Sequence, residues 1–366
     1  MKAIDLCAGA GGLSLGLQRA GFDVLGVERE RVAGLWHREH VGPCDLADVT
    51  AWHPSERVDL VAGGVPCQAF STAGRRAGMR ETVGALFPGA LEARAHLYQH
   101  LIRVAVEAHA RAVVLENVVG LVQWDSGAAI AAIVEAMQSA GFASVEWRIL
   151  DAADFGVPQH RKRLFVVGLR QGAIAWPEPT HGPGRATPWV TVRDALGLVG
   201  DYEAGRLDGA SGWNGQRRAD VDAPSSTIGT RRNPDLLSRP APTITTSAWH
   251  AGSSFGSHRE SKRPLVALTK ALAEAGLADR PSTTLQAGGG GRIARPGHKV
   301  DGDQWKGCVR LTASQCATLQ GFPPWDWSRL TSTDAHRLIG NAVPPALGEV
   351  VGRAVFHNLS RERNAA

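Results

Sequence analysis

The chain has 366 residues, 43% of them hydrophobic and 20% charged, with a formal net charge of +5. That balance excludes a disordered chain, and the absence of any run of about 18 apolar residues argues against a membrane-spanning helix. Its five cysteines (Cys7, Cys44, Cys67, Cys308, Cys316) are scattered without a Cys-x-x-Cys pair, against a disulfide framework or a metal site and for a reducing, cytoplasmic compartment.

The opening MKAIDLCAG enters a strand directly, without the apolar stretch of a secretory signal. Hydrophobic spacing predicts strands at 2–6, 24–27, 58–62, 112–115, 144–150 and 164–169. Helices are predicted at 13–20, 90–109 and 128–140. This alternation predicts an α/β fold with a mostly parallel sheet covered on both faces. The composition then changes. Residues 171–308 are rich in Pro, Gly, Ser, Thr and Trp, and hold 17 Lys/Arg against 13 Asp/Glu. The excess of basic residues there leans toward a polyanionic partner. A Pro three residues before Thr recurs in APSSTI (223–228), RPAPTI (239–244) and RPSTTL (280–285). The plain reading is three strand entries in a small β-rich unit; the sharper one is a phosphate track lined by hydroxyls and backbone N–H groups. Regularity returns in RLTASQCATLQGF, which carries a helix-capping signal, and in a closing helix over 344–358.

The chemistry concentrates at predicted strand ends. In DLCAGAGGL (5–13) a strand turns into a helix through Gly9, Gly11 and Gly12, which allow close approach of a ligand to backbone. Glu28 ends the next strand, about where nucleoside-binding folds place a ribose hydroxyl acceptor, and Asp48 and Val49 follow another short segment. Singly, either carboxylate reads as a solvated loop residue. Cys67 in GGVPCQAFS (63–71) follows a strand and so falls at the carboxyl edge of the sheet, and Glu116 in LENVVG (115–120) is placed at the same edge. QHRKR (159–163) adds Arg161 and Arg163 on alternate positions before a third strand. Thiol, carboxylate and arginine beside a nucleoside site point to addition to an electron-poor ring.

Taken together these segments resemble the DNA cytosine-5 methyltransferases of prokaryotic type, nearly end to end. DLCAGAGGLSLGL is similar to their cofactor motif, GGVPCQAFS to the Pro-Cys-Gln segment, ENVVG to Glu-Asn-Val and QHRKR to Gln-x-Arg-x-Arg. VRLTASQCATLQGFP (309–323) and GNAVPPALG (340–348) are similar to the last two motifs, in the family's order. The resemblance implies a Rossmann-like catalytic and cofactor-binding domain (1–180 and 330–366) and an irregular β-rich target-recognition domain (181–329, including the 309–323 motif). It implies methyl transfer from S-adenosylmethionine, leaving S-adenosylhomocysteine, to carbon-5 of a cytosine flipped out of double-stranded DNA, without a metal. Cys67 would be the nucleophile at carbon-6, Glu116 the acid, Arg163 the partner of the ring carbonyl and Arg161 its support. Cys7, Ala8, Gly9, Ala10, Gly11, Gly12, Glu28, Asp48, Val49, Pro66, Asn341 and Ala342 would hold the cofactor. Arg75, Arg76 and Arg80, after Cys67, and Arg231, Arg232 and Arg239, in the recognition block, are candidate DNA contacts. The expected enzyme is a nucleoid-associated monomer, with a separately acting restriction endonuclease as an optional partner.

Two departures stand out. Cys7 occupies a position where the family more often has Phe, and Glu92 in EARAHL (92–97) replaces an Asp after an unusually long loop. The RNA-directed branch carries a Cys-Phe-Thr segment in its recognition region, which is absent here; silent regulators lose the nucleophile or the acid, and both are present.

Overall fold

The first five strands run parallel, and among them the chain reverses its direction of travel across the sheet once. β1 (Lys2–Leu6) pairs with β2 (Asp23–Glu28), which pairs with β3 (Cys44–Leu46); on the other side β1 pairs with β4 (Leu60–Gly63), and β4 with β5 (Ala112–Val118). β7 (Lys162–Leu169) then inserts antiparallel between β5 and β6 (Ser144–Asp151), giving the order β3-β2-β1-β4-β5-β7-β6. The computed structural model describes residues 1–65, 97–197, 272, 277–282, 285, 292–293 and 309–365. The expected mostly parallel sheet is therefore present, and the antiparallel β7, which the expectation did not include, makes it mixed. Most of the expected recognition domain lies outside the described residues; those described from it include a short antiparallel pair, β8 (Arg292–Ile293) with β9 (Val309–Arg310), and two helices, at Val192–Leu196 and Ala313–Gln320.

Helices cover both faces. α1 (Gly12–Arg19) and the closing helix α9 (Pro345–Ala365) pack on one face; Leu13, Leu17, Val351, Val355 and Leu359 share a core with Ala3, Val24 and Val114. α3 (Leu97–Glu107) and α5 (Ala128–Ser139) cover the other, where Leu101, Val104, Ile133 and Met137 meet Ile4, Val61 and Val113. A short helix, α4 (Gly120–Gln123), links β5 to the second face. A third core joins Trp36 of α2 (Arg31–His40) to Val192 of α6 (Val192–Leu196), to α7 (Ala313–Gln320), α8 (Ser332–Asn341) and Trp327. Trp36 stacks on Trp327 with ring centroids 4.4 Å apart.

The first of these packings depends on glycine. A Cβ on Gly16 would lie 2.4 Å from the Pro345 carbonyl oxygen and 2.5 Å from the Glu349 nitrogen. Gly16 thus lets α1 approach the backbone of α9, at the usual cost of glycine inside a helix. Gly16→Ala is expected to lower stability by about 1–3 kcal/mol through overpacking. The urea midpoint should fall at unchanged m; an unmoved midpoint would contradict this close packing.

Several sequence expectations shift in extent. Glu116 lies within β5 rather than after it, and Arg163 within β7. The capping signal at Thr312 is realised in both directions, Gln315 N–H donating to Thr312 Oγ1 and Thr312 N–H to Gln315 Oε1. α2 and α8 were not anticipated. The buried stripe of α2 is Ala33, Gly34, Trp36 and His37, so a glycine and a histidine interrupt its hydrophobic period.

Candidate active site

The strand order reverses between β1 and β4, and in open α/β sheets the crevice beyond the carboxyl ends at such a point is where ligands bind. Here the ends are Leu6, leading to Cys7, and Gly63, leading to Gly64 and Val65. Next along the sheet, Glu116 is only 8% exposed. Because β7 runs antiparallel to β5, its first residues return to this same edge, with Arg163 opposite Val118. Arg163 Nε lies 3.0 Å from Glu116 Oε1. Burial pushes the Glu116 carboxyl up from its ordinary value, and Arg163 and Arg161 push it back down.

The segment leading to Cys67 is tied to this pair. Asn117 Nδ2 donates to the Val65 carbonyl at 3.1 Å. Gly64 sits so close that a Cβ there would lie 3.1 Å from Glu116 Oε2. Pro66, Cys67, Arg75, Arg76, Arg80 and Glu92 lie outside the described residues, as do Arg231, Arg232, Arg239 and Cys308. The three cysteines within them, Cys7, Cys44 and Cys316, have thiols pushed up to about 12, mainly by burial. Thiols so protonated are poor nucleophiles.

Arg161 is placed differently from Arg163. It is 1% exposed, and its guanidinium donates to the backbone carbonyls of Leu285, Gly340 and Ala342 at 2.7–3.0 Å. Gln159 works alongside it. Its Oε1 accepts from Leu285 N–H, and its Nε2 donates to Gln320 Oε1, whose own amide donates to Ala342 O. His160 and Pro158 exchange backbone hydrogen bonds with Ser282. The third Pro/Thr repeat is thus stapled by its backbone to the QHRKR segment and, through Arg161, to the 340–342 turn. The other two repeats lie outside the described residues. Gln159 and Gln320 were missed because buried amides leave no mark on hydrophobic periodicity.

On the β1 side the chain turns through Cys7 (φ +58) and Gly9 (φ +56), both in the left-handed region. Gly9 N–H donates to Glu28 Oε2 at 3.0 Å and Glu30 N–H to Oε1 at 2.8 Å. A carboxylate has about four acceptor sites, so Glu28 retains capacity toward a diol. Asp48 accepts from the backbone and hydroxyl of Thr50 and faces Arg29, which hold its carboxyl below the usual range. Val49 beside it is buried. Gly12 closes the crevice: a Cβ on it would lie 2.0 Å from the Val343 carbonyl oxygen, which brings the turn carrying Ala8, Ala10 and Gly11 against the one carrying Asn341 and Ala342. Beneath the turn, Asp5 Oδ1 is buried with no partner among the described residues. The carboxylates of Glu28 and Asp48 and a tight glycine turn that a Cβ would fill fit a nucleoside cofactor. No group of three or more His, Cys, Asp or Glu able to hold a metal ion occurs among the described residues, and no helix there is long and apolar enough to cross a membrane.

Known proteins bear on this geometry directly. The pattern of the C-5 cytosine-specific DNA methylase family matches residues 1–357. The chain belongs to that family. Its relatives include the type II methyltransferase M.XorII of Xanthomonas oryzae, 32% identical over 98% of this chain and 85% of the relative. M.NgoMIV of Neisseria gonorrhoeae is 30% identical over 98% of both chains. Among solved structures, Entamoeba histolytica methyltransferase EhMeth matches with a TM-score of 0.56 at 12% identity, covering 98% of both chains. Schizosaccharomyces pombe Dnmt2 methyltransferase matches at 0.55 and 15%, covering 100% of this chain and 99% of that one. At these identities the structural likeness establishes the fold, and the family match over residues 1–357 establishes membership of the cytosine-5 DNA methylase family.

Proposed function

We propose that this methylase forms a transient bond from Cys67 to carbon-6 of a cytosine flipped out of duplex DNA, and methylates carbon-5 with S-adenosylmethionine as donor. The observation that carries the reading is the Asn117–Val65 hydrogen bond, which holds the chain two residues before Cys67 against the strand bearing Glu116, itself paired with Arg163.

Carbon-5 of cytosine is a weak nucleophile. Addition of the Cys67 thiolate at carbon-6 breaks the carbon-5/carbon-6 double bond and moves its electrons into an enamine-like system. Glu116, protonated, donates to the ring nitrogen and offsets the charge that develops there, while Arg163 donates to the ring carbonyl oxygen. Burial favours that protonated form of Glu116. S-adenosylmethionine, when bound, supplies an electrophilic methyl group. Glu28 would take its ribose hydroxyls, Asp48 and Val49 its adenine, and the turns at 7–12, Pro66 and 341–342 the remainder. Loss of the carbon-5 proton and expulsion of Cys67 restore the aromatic ring. Extraction of the base costs a few kcal/mol, which contacts from the recognition region and the basic residues after Cys67 would offset. In this reading Arg161 is a strut: it joins the recognition segment at Leu285 to the cofactor turn and leaves direct contact with the base to Arg163.

Bisulfite sequencing of DNA from methylation-free cells expressing the protein tests the reading. Protected cytosines at one position of a short recurring site are expected. Uniform conversion, with folded protein present, would contradict it.

A further inference from the structure

Beneath the cofactor turn lies a chain of three buried polar side chains that the reaction does not use. Asp5 in β1, Ser14 in the first turn of α1 and His37 in α2 are each at most 1% exposed. Asp5 Oδ2 and Ser14 Oγ are 2.6 Å apart, Ser14 Oγ and His37 Nε2 2.9 Å, and His37 Nδ1 and the Gly42 carbonyl oxygen 3.2 Å. The ring is wedged under the turn: a Cβ on Gly11 or on Gly26 would each come within 2.9 Å of it.

The number of protons in this chain follows from its ends. The Gly42 carbonyl only accepts, so Nδ1 must carry a hydrogen. If Asp5 is ionised and His37 neutral, the single Ser14 hydroxyl proton cannot serve both neighbours. Given to Asp5, it leaves the serine oxygen facing the bare Nε2; given to Nε2, it leaves that oxygen facing a carboxylate. One added proton, on Asp5 or on His37, satisfies every contact. No solvent reaches the three groups to satisfy the deficit instead, and an unmet buried polar contact costs about 1–3 kcal/mol.

We propose that Asp5, Ser14 and His37 are positioning residues that share one proton, and that this proton holds the glycine turn in the shape that accepts the cofactor. The inference rests on the cofactor reading above. The electrostatics agree with it. Burial pushes Asp5 up to about 7; the Ser14 hydrogen bonds oppose this, and the carboxylates of Glu28 from β2 and Glu116 from β5 add to it. The Cys7 and Cys44 thiols nearby stay neutral. Burial lowers His37, so the proton resides mainly on Asp5. The titration belongs to the pair rather than to either residue. Since the proton is retained below and lost above about pH 7, cofactor affinity should fall as pH rises through that point.

Calorimetric titration of the full chain with S-adenosylhomocysteine, from about pH 6 to about pH 8.5, tests this on the wild type and Ser14→Ala. The wild type is expected to lose affinity by up to about tenfold per pH unit above the titration point. Ser14→Ala should bind about tenfold more weakly at about pH 6, with a flat profile. A flat wild-type profile overturns the inference whether or not the variant folds. A variant matching wild-type affinity and slope overturns it too, while binding by neither protein at any pH overturns the cofactor reading along with it.

Discussion

Cys67→Ser is expected to bind duplex DNA and S-adenosylhomocysteine with near wild-type affinity and to lose methyl transfer by more than about 10³-fold, the scale on which removal of a covalent nucleophile acts. The reason is thiol chemistry. A serine hydroxyl at that position is a far weaker nucleophile at neutral pH. The described cysteines offer no substitute, since Cys7, Cys44 and Cys316 have thiols raised to about 12. Filter binding alongside single-turnover transfer of a tritiated methyl group separates binding from chemistry. Methylation retained within tenfold would remove Cys67 from the role.

Glu116→Gln should lower the single-turnover rate by about 10²–10⁴-fold, the range for a positioned acid. The amide keeps the shape and the ability to donate, but it cannot yield a proton or pair its charge with Arg163. The pH profile gives the sign independently. Burial raises the Glu116 carboxyl, with Arg163 and Arg161 opposing, so the active protonated form persists above the ordinary carboxylate range and is lost as pH rises through the shifted value. The wild-type rate should therefore carry a falling limb toward higher pH that belongs to Glu116. Glu116→Gln should lack that limb. A variant that keeps both rate and limb would assign the acid elsewhere.

What the sequence disclosed was set by how local each signal is. Cys67, Glu116 and Arg163 fall in short sequence motifs, where a few residues carry both position and chemistry, and so they stood out. The direction of β7 did not: parallel and antiparallel insertion read alike in an apolar run such as LFVVGL, yet only the antiparallel one returns Arg163 to the edge that Glu116 occupies. Alternation placed Arg161 and Arg163 on one face, but it could not distinguish a guanidinium spent on three backbone carbonyls from one paired with a carboxylate. Asp5, Ser14 and His37 were invisible for a related reason. They meet only after β1, α1 and α2 have packed, and a histidine beside Trp36 in a charged helix reads as surface. Glu28 was legible from its distance to the glycines, whereas its bond to Gly9 N–H needed the parallel pairing of β1 with β2.

The covalent step can be seen directly by placing 5-fluorocytosine in the target site of a duplex. Fluorine cannot leave as a proton does, so the carbon-6 adduct has no exit once carbon-5 is methylated. With S-adenosylmethionine present, a protein–DNA complex surviving denaturing electrophoresis is expected for the wild type and not for Cys67→Ser. No such complex from wild-type protein that methylates the unmodified duplex, or an equal yield from Cys67→Ser, would contradict the account.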